Sequence, residues 1–427
     1  MQGATGRVFT LTTHNNANAP MRRSLLHYTR LLVLPLLAMG MVLTGCDSGG
    51  SNGDNEDNGN GSDAPSYSTS DGSYAEEVAV NILAFELGIR TGSNNVSGNS
   101  ESALDDLYTG TNLSGQTLPT ELKGSPEQST YGDIATVNLS SLVSGDNLLK
   151  DDNIPGVSSP ANTDKLLKAY FKEAGANDNA VIGDGIVISQ FAEKMLLGTP
   201  IYGKGATLLS DFANGNVSSN RAEKWDAAFG YFGFPKTLEP FLDYSGGGEG
   251  LAGGPAQDLD GNGSIDLESE YAYTWATYAI ERSATAENEN DFARRAFEAL
   301  VEGRNDIENG DDPSDHAETA LQAWEEVVAV NVIHYINSIK GSLPDSGTLQ
   351  DDDLDEGAWG EAKAFAWGLQ FYSDELDNSQ LTGILENIGN APPYGDLTVS
   401  EYTEDLDAAL NTLETQYDFD PNNVDNW

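Results

Sequence analysis

The stretch Asp315–Lys340, DHAETALQAWEEVVAVNVIHYINSIK, decides the fold class. Leu321, Trp324, Val328, Tyr335 and Ile339 make a buried stripe at helical spacing, and neither Gly nor Pro interrupts the run. Asp315 and Glu318 have the spacing of a capping box, which places the helix start there.

Working outward, similar periodicity predicts helices over Tyr74–Arg90, Asp164–Ala174, Ile186–Leu197, Ala222–Phe232, Leu267–Arg282, Asp291–Ile307, Glu356–Tyr372 and Ser379–Ile388. Thr398 with Glu401 forms a second capping box, ahead of Tyr402, Leu406, Leu410 and Leu413. Thr91–Pro160 is punctuated by Gly, Ser and Asn and reads as loop-rich, as does the Gly-rich stretch Pro240–Pro255. No convincing strand alternation and no solenoid repeat occurs. The expected class is mostly α: helical bundles joined by long Gly/Asn/Ser-rich loops.

The chain has 427 residues, long enough for two subdomains, and 38% hydrophobic residues, enough for a core. Against 21 Lys+Arg stand 68 Asp+Glu, a formal net charge of −47. That balance excludes nucleic-acid phosphate as a partner, because such affinity rests on neutralising cations. It excludes a polybasic membrane patch equally. The acids suit a salt-adapted, halophilic surface or a cation-binding one, and their spread over the whole chain favours the first. A single Cys leaves no internal disulfide, zinc–thiolate cluster or dithiol site. Of the four histidines, His14 and His27 precede the expected mature start, leaving only His316 and His334 in the body.

Met21-Arg22-Arg23 opens a basic segment, and Leu31–Leu43 is an apolar run too short to span a bilayer. The run ends in Leu43-Thr44-Gly45-Cys46, which resembles the bacterial lipoprotein cleavage box with Cys46 as the lipidated residue. Residues 1–45 are therefore expected to be a signal peptide, the first 20 of them an over-annotated start. Residues 46–73 read as the lipid anchor and a disordered acidic tether, and 74–427 as the helical body. Asp47 is similar to an inner-membrane retention signal of some Gram-negative bacteria; the expected location remains the outer membrane or cell surface.

The strongest local motif is Asp258-Leu-Asp260-Gly-Asn262-Gly263-Ser264-Ile265-Asp266. Oxygen side chains at loop positions 1, 3, 5 and 9, with Gly at 6 and Ile at 8, follow the calcium loop of EF-hands. Ser269 stands at position 12, where a Glu is usual, and Glu270 follows one residue late. The candidate ligands are Asp258, Asp260, Asn262, Ser264, Asp266 and Glu270 around a structural Ca2+; the alternative is an acidic turn. A second candidate is a polar pocket of Arg304, Asn331, His334 and Glu361 between facing helices, against the plainer reading of His334 as a structural residue. The aromatic string Trp225–Phe232 reads as core. No P-loop, dinucleotide fingerprint, nucleophile elbow or HExxH is present, and no catalytic residue is nominated.

IVISQFAEKMLLG at Ile186–Gly198, WDAAFGYFGFP at Trp225–Pro235, DLDGNGSIDLESE at Asp258–Glu270, FEALVEGRNDIEN at Phe297–Asn309 and WGEAKAFAWGLQF at Trp359–Phe371 occur in that order. Together they resemble domain-of-unknown-function family 4856 of bacterial lipoproteins, which is loosely similar to the imelysin-like helical lipoproteins implicated in iron uptake. The resemblance spans roughly Tyr74–Ile388 and implies a helical lipoprotein without an assigned activity. The imelysin signature GxHxxE is absent. Its nearest counterpart is Gly357-Ala358-Trp359-Gly360-Glu361, so Glu361 carries over and a histidine ligand does not. The expected function is a non-catalytic surface lipoprotein that binds a small ligand or protein partner. An iron-uptake accessory is the second reading and a surface hydrolase the third.

Overall fold

In the middle of the long helix, every residue from Ala323 to Ile333 is buried. It is therefore an axis on which other helices pack, not a surface helix with one apolar stripe. The computed structural model describes residues 65–69, 73–92, 100–143, 149, 162–177, 181–183, 185–242, 255–286, 290–351 and 353–427. The expected signal segment, Cys46, the tether up to residue 64 and most of the Gly-rich loop after Pro240 lie outside them.

The described residues are mostly helical, as expected. In chain order the helices are α1 Ala75–Gly92, α2 Glu101–Thr109, α3 Leu139–Leu142, α4 Thr163–Asn177, α5 Ile188–Leu196, α6 Gly203–Ala213 and α7 Arg221–Phe232. There follow α8 Thr274–Thr285, α9 Phe292–Asn309, α10 Ser314–Ser342, α11 Glu356–Gly368, α12 Asn378–Ile388, α13 Val399–Tyr417 and α14 Pro421–Asn426. One antiparallel hairpin, β1 Val181–Ile182 with β2 Ile186–Val187, is the sheet structure among the described residues. Helices α9 and α11 pack most extensively on α10, joined by α6, α8 and α13. Helix α11 is itself buried from Gly357 to Gly368. The buried side chains from Tyr67 to Trp427 form one cluster.

Several local expectations change. Helix α10 starts at Ser314, with Pro313 at the cap position and no capping side chain. Asp315 thus lies inside the first turn, where its charge favours the helix dipole rather than closing a capping box. The box at Thr398 does form: its hydroxyl accepts the Glu401 N–H at 3.3 Å, and Glu401 accepts the Thr398 N–H at 2.9 Å. Within the segment read as loops, α2 is a true helix, capped by Ser100 and burying Leu104, Leu107 and Tyr108. The helix expected to begin at Leu267 begins at Thr274, because the preceding residues close the acidic loop. Helix α5 does not stop before Gly198 and Pro200. Pro200 has no N–H for the carbonyl four residues back. The turn Leu197–Tyr202 widens to π geometry, with Gly203 N–H bonded to Gly198 O, and runs on into α6. The indole N–H of Trp275 donates to Leu197 O at 3.2 Å.

Close packing sets which glycines tolerate a methyl group. At Gly303 in α9 a Cβ would overlap the Trp225 indole, whereas at Gly383 in α12 it meets nothing. Gly303→Ala is expected to cost about 1–3 kcal/mol in urea unfolding through overpacking. Gly383→Ala is expected to add about 0.5–1 kcal/mol by restricting the helix backbone.

Candidate metal loop and buried polar network

The acidic loop lies between Pro255 and Tyr271 and is held at both ends. Gln257 N–H bonds Glu270 O, and Ala272 N–H bonds Pro255 O. Its middle is pinned from outside. Ile265 N–H donates to Ser125 O and Ile265 O accepts from Glu127 N–H, each at 2.9 Å. Gly261 and Gly263 take positive φ, at 74° and 88°, which lets the chain turn tightly around its own carboxylates.

Asp258 accepts the N–H groups of Gly261, Asn262 and Gly263 at 2.7–3.1 Å. Asp260 accepts the Asn262 N–H and side-chain amide. Glu270, the residue one place late in the motif, is buried and reaches back under the loop. Its Oε1 accepts from Leu259 and Asp260 N–H, and its Oε2 from Asp266 N–H, at 2.9–3.2 Å. Oxygen atoms of Asp258, Asp260 and Glu270 lie within 4.8 Å of one another. Three converging carboxylates repel unless backbone dipoles or a cation offset them. Hard oxygen donors at this spacing suit a calcium-sized ion.

The other nominated ligands sit differently. Asp266 is turned away, toward Gln128, the Glu268 N–H and the Ser269 hydroxyl. Burial raises its pKa, but those hydrogen bonds outweigh burial and hold it below its ordinary value. Asn262 is on the exposed rim, its amide donating to Asp260 and to Glu127, and its Oδ1 accepts the Ser264 N–H. Glu127 is a further carboxylate at the loop, which the motif could not reveal because it is 135 positions away from Asn262.

On its far side the loop meets α1. Tyr74 OH donates to Glu268 O at 2.6 Å, and Tyr74 N–H donates to the Glu268 carboxylate at 3.2 Å. Near this junction Glu77 is pushed up to about 7, chiefly by burial and further by Glu76, Glu268 and Asp226.

The pocket proposed from sequence is brought together in part. Arg304 pairs elsewhere: its Nε donates to Asp226 at 2.8 Å, and Asp226 also accepts from Tyr67. The reason is that α9 points this buried cation at α7, where Asp226 has the matching charge. The remaining residues belong to one network. Lys194 of α5 bridges Glu193 and Glu361 at 3.0 and 3.1 Å. Tyr335 and Tyr278 lie close enough to Glu361 to feel its charge, and the Arg282 guanidinium sits over the Tyr278 ring. Arg282 of α8 donates to Asn331 at 3.0 Å.

Burial alone would depress Lys194, but Glu193 and Glu361 more than offset it and keep the ammonium charged. Burial raises Glu361, with Lys194 opposing. His334 stacks edge-on against Tyr335 and is lowered to about 3 by burial and by Arg282, so its imidazole is neutral at physiological pH. Lys194 thus escaped the sequence reading, although a lone Lys in the apolar run Ile188–Leu196 of so acidic a chain marked a partner for a buried acid.

Comparison with protein-family models, curated proteins and solved structures finds no match. The chemistry of the two clusters therefore rests on their geometry. The first offers oxygen ligands near solvent. The second is a closed set of charges with a cation at each end.

Two outcomes follow. Lys194→Met leaves two carboxylates beside each other without their buried cation and is expected to cost about 3–5 kcal/mol in denaturant unfolding. Adding Glu361→Leu should recover part of the loss. For Glu77, the folded pKa lies above the ordinary value of 4.5, so the stability it contributes in acid is lost as pH rises from about 4.5 through 7. Glu77→Gln is expected to raise stability by about 1–3 kcal/mol at pH 8 and to change little at pH 4, read from paired thermal melts.

Proposed function

We propose that the chain is a non-catalytic, lipid-anchored surface protein whose helical body binds a partner or small ligand and is stiffened by a structural calcium loop. The observation that carries the calcium reading is the convergence of Asp258, Asp260 and Glu270 on a loop stapled to Ser125–Glu127 and to Tyr74. A cation there would tie three distant parts of the sequence and would act on stability rather than on chemistry. The anchoring reading rests on Cys46 after its apolar run. No helix among the described residues is long and apolar enough to cross a membrane, which is compatible with attachment through lipid. The stretch Trp225–Phe232 builds core, which fits a body without a reaction centre at that helix. Against the iron-uptake reading, Lys194 already neutralises Glu361, and Arg282 lies beside His334, so a ferric or ferrous ion would face two cations.

The test is a thermal melt of the mature chain with and without calcium, alongside metal analysis of protein purified without chelator. Calcium is expected to raise the melting temperature and to be retained at about one ion per chain. Stabilisation near 2.7 kcal/mol is expected at free calcium about a hundredfold above Kd. Asp258→Ala with Asp260→Ala should abolish the response. A calcium-insensitive wild-type melt removes the site, and retained iron restores the uptake reading.

A further inference from the structure

The sequence boundary at Ser73 between tether and body does not hold. Residues 65–69 already lie on the body, and Tyr67 is 1% exposed. Its N–H donates to Lys236 O at 2.8 Å, and Ser66 forms an antiparallel bridge with Thr237. Its ring stacks on Phe229, with centroids 3.6 Å apart, and meets Tyr74 edge-on. Its hydroxyl donates to Asp226 at 2.7 Å, and Asp226 is paired with Arg304. Tyr67 is the one aromatic residue between Cys46 and Tyr74.

The residues that line the socket also hold one another. Phe229, Phe234 and Phe297 pack on one another, and Asp226 keeps Arg304. Beside the phenol, Asp226 Oδ2 is buried with no hydrogen-bond partner, an acceptor that water could satisfy once the ring left. Residues 65–69 are held by the Tyr67 ring, its phenol bond, a single strand bridge and a hydroxyl contact of Thr237 with Ser66 at 3.5 Å.

We propose that this socket is a receptor for a tyrosine-bearing extended strand, occupied in cis by Tyr67, which straps the anchor segment to the body. The spacing role rests on the lipid-anchored reading of Cys46. With Tyr67 seated, 18 residues (47–64) separate anchor from body; released, the separation becomes 27 residues (47–73). At roughly 3.4 Å per residue the maximum reach grows from about 60 to about 90 Å.

The strap itself is tested without lipid, by hydrogen exchange on the full mature chain carrying Cys46→Ser. Tyr67→Ala is expected to speed exchange of the residue-67 amide by roughly tenfold or more, with α1 and α10 unchanged, and Tyr67→Phe to fall between. Joint loss of protection in α1, α7 and α9 would make Tyr67 an ordinary core residue and overturn the strap, as would unchanged exchange in Tyr67→Ala. For spacing, lipidated protein is placed on vesicles and energy transfer is read from a dye on the body to a dye in the bilayer. Tyr67→Ala should increase the separation, and an unchanged distance overturns the spacing role. Failure of the unmutated lipidated protein to float with vesicles would sink the anchoring reading alone, while hydrogen exchange still decides the strap.

Discussion

Cations are scarce in this chain, and the fold keeps several of them inside. Lys194, Arg282, Arg304 and Lys363 are all buried. In a low-dielectric interior an unpaired charge is costly, so each must meet its partner before the helices can close. Lys194 joins α5 to α11 through Glu361, Arg282 joins α8 to α10 through Asn331, and Arg304 joins α9 to α7 through Asp226. Lys363 donates to Leu385 O and so ties α11 to α12. The apolar core supplies most of the driving force, but it is non-directional. These polar joints select which helix faces which.

The same logic shows what one-dimensional reading could reach. Helix α10 and the capping box at Thr398 were legible because periodicity and local hydrogen bonding act within a few residues. The acidic loop was legible because its ligand spacing is local, and Glu270 proved able to reach despite its late position. Glu127, Tyr67 and the Arg304–Asp226 pair were not, since each depends on a contact across 78 or more positions. The helix expected to end at Leu197 runs on instead, because the turn Leu197–Tyr202 widens to π geometry around Pro200 and continues into α6.

The acidic loop and the Tyr67 socket meet at one place. Tyr74 touches Tyr67 and Phe229 on one side and bonds Glu268 on the other. Whatever stiffens the loop therefore also stiffens the wall against which Tyr67 rests. A cation bound at the surface would be felt at the point where the polar N-terminal segment joins the core, through rigid contacts rather than through any change of fold.

The widened turn at Leu197–Tyr202 is, in register terms, one residue more than a plain α-helix requires. One residue is worth about 100° of rotation. That phase change is what lets α5 present Phe191 and Lys194 to α11 while α6, on the same continuous rod, presents Ala206, Leu209 and Phe212 to the core. Straightening the rod would swing the whole of α6 out of phase with its neighbours. A residue count that looks like a defect in one helix thus acts as a gear between two packing surfaces.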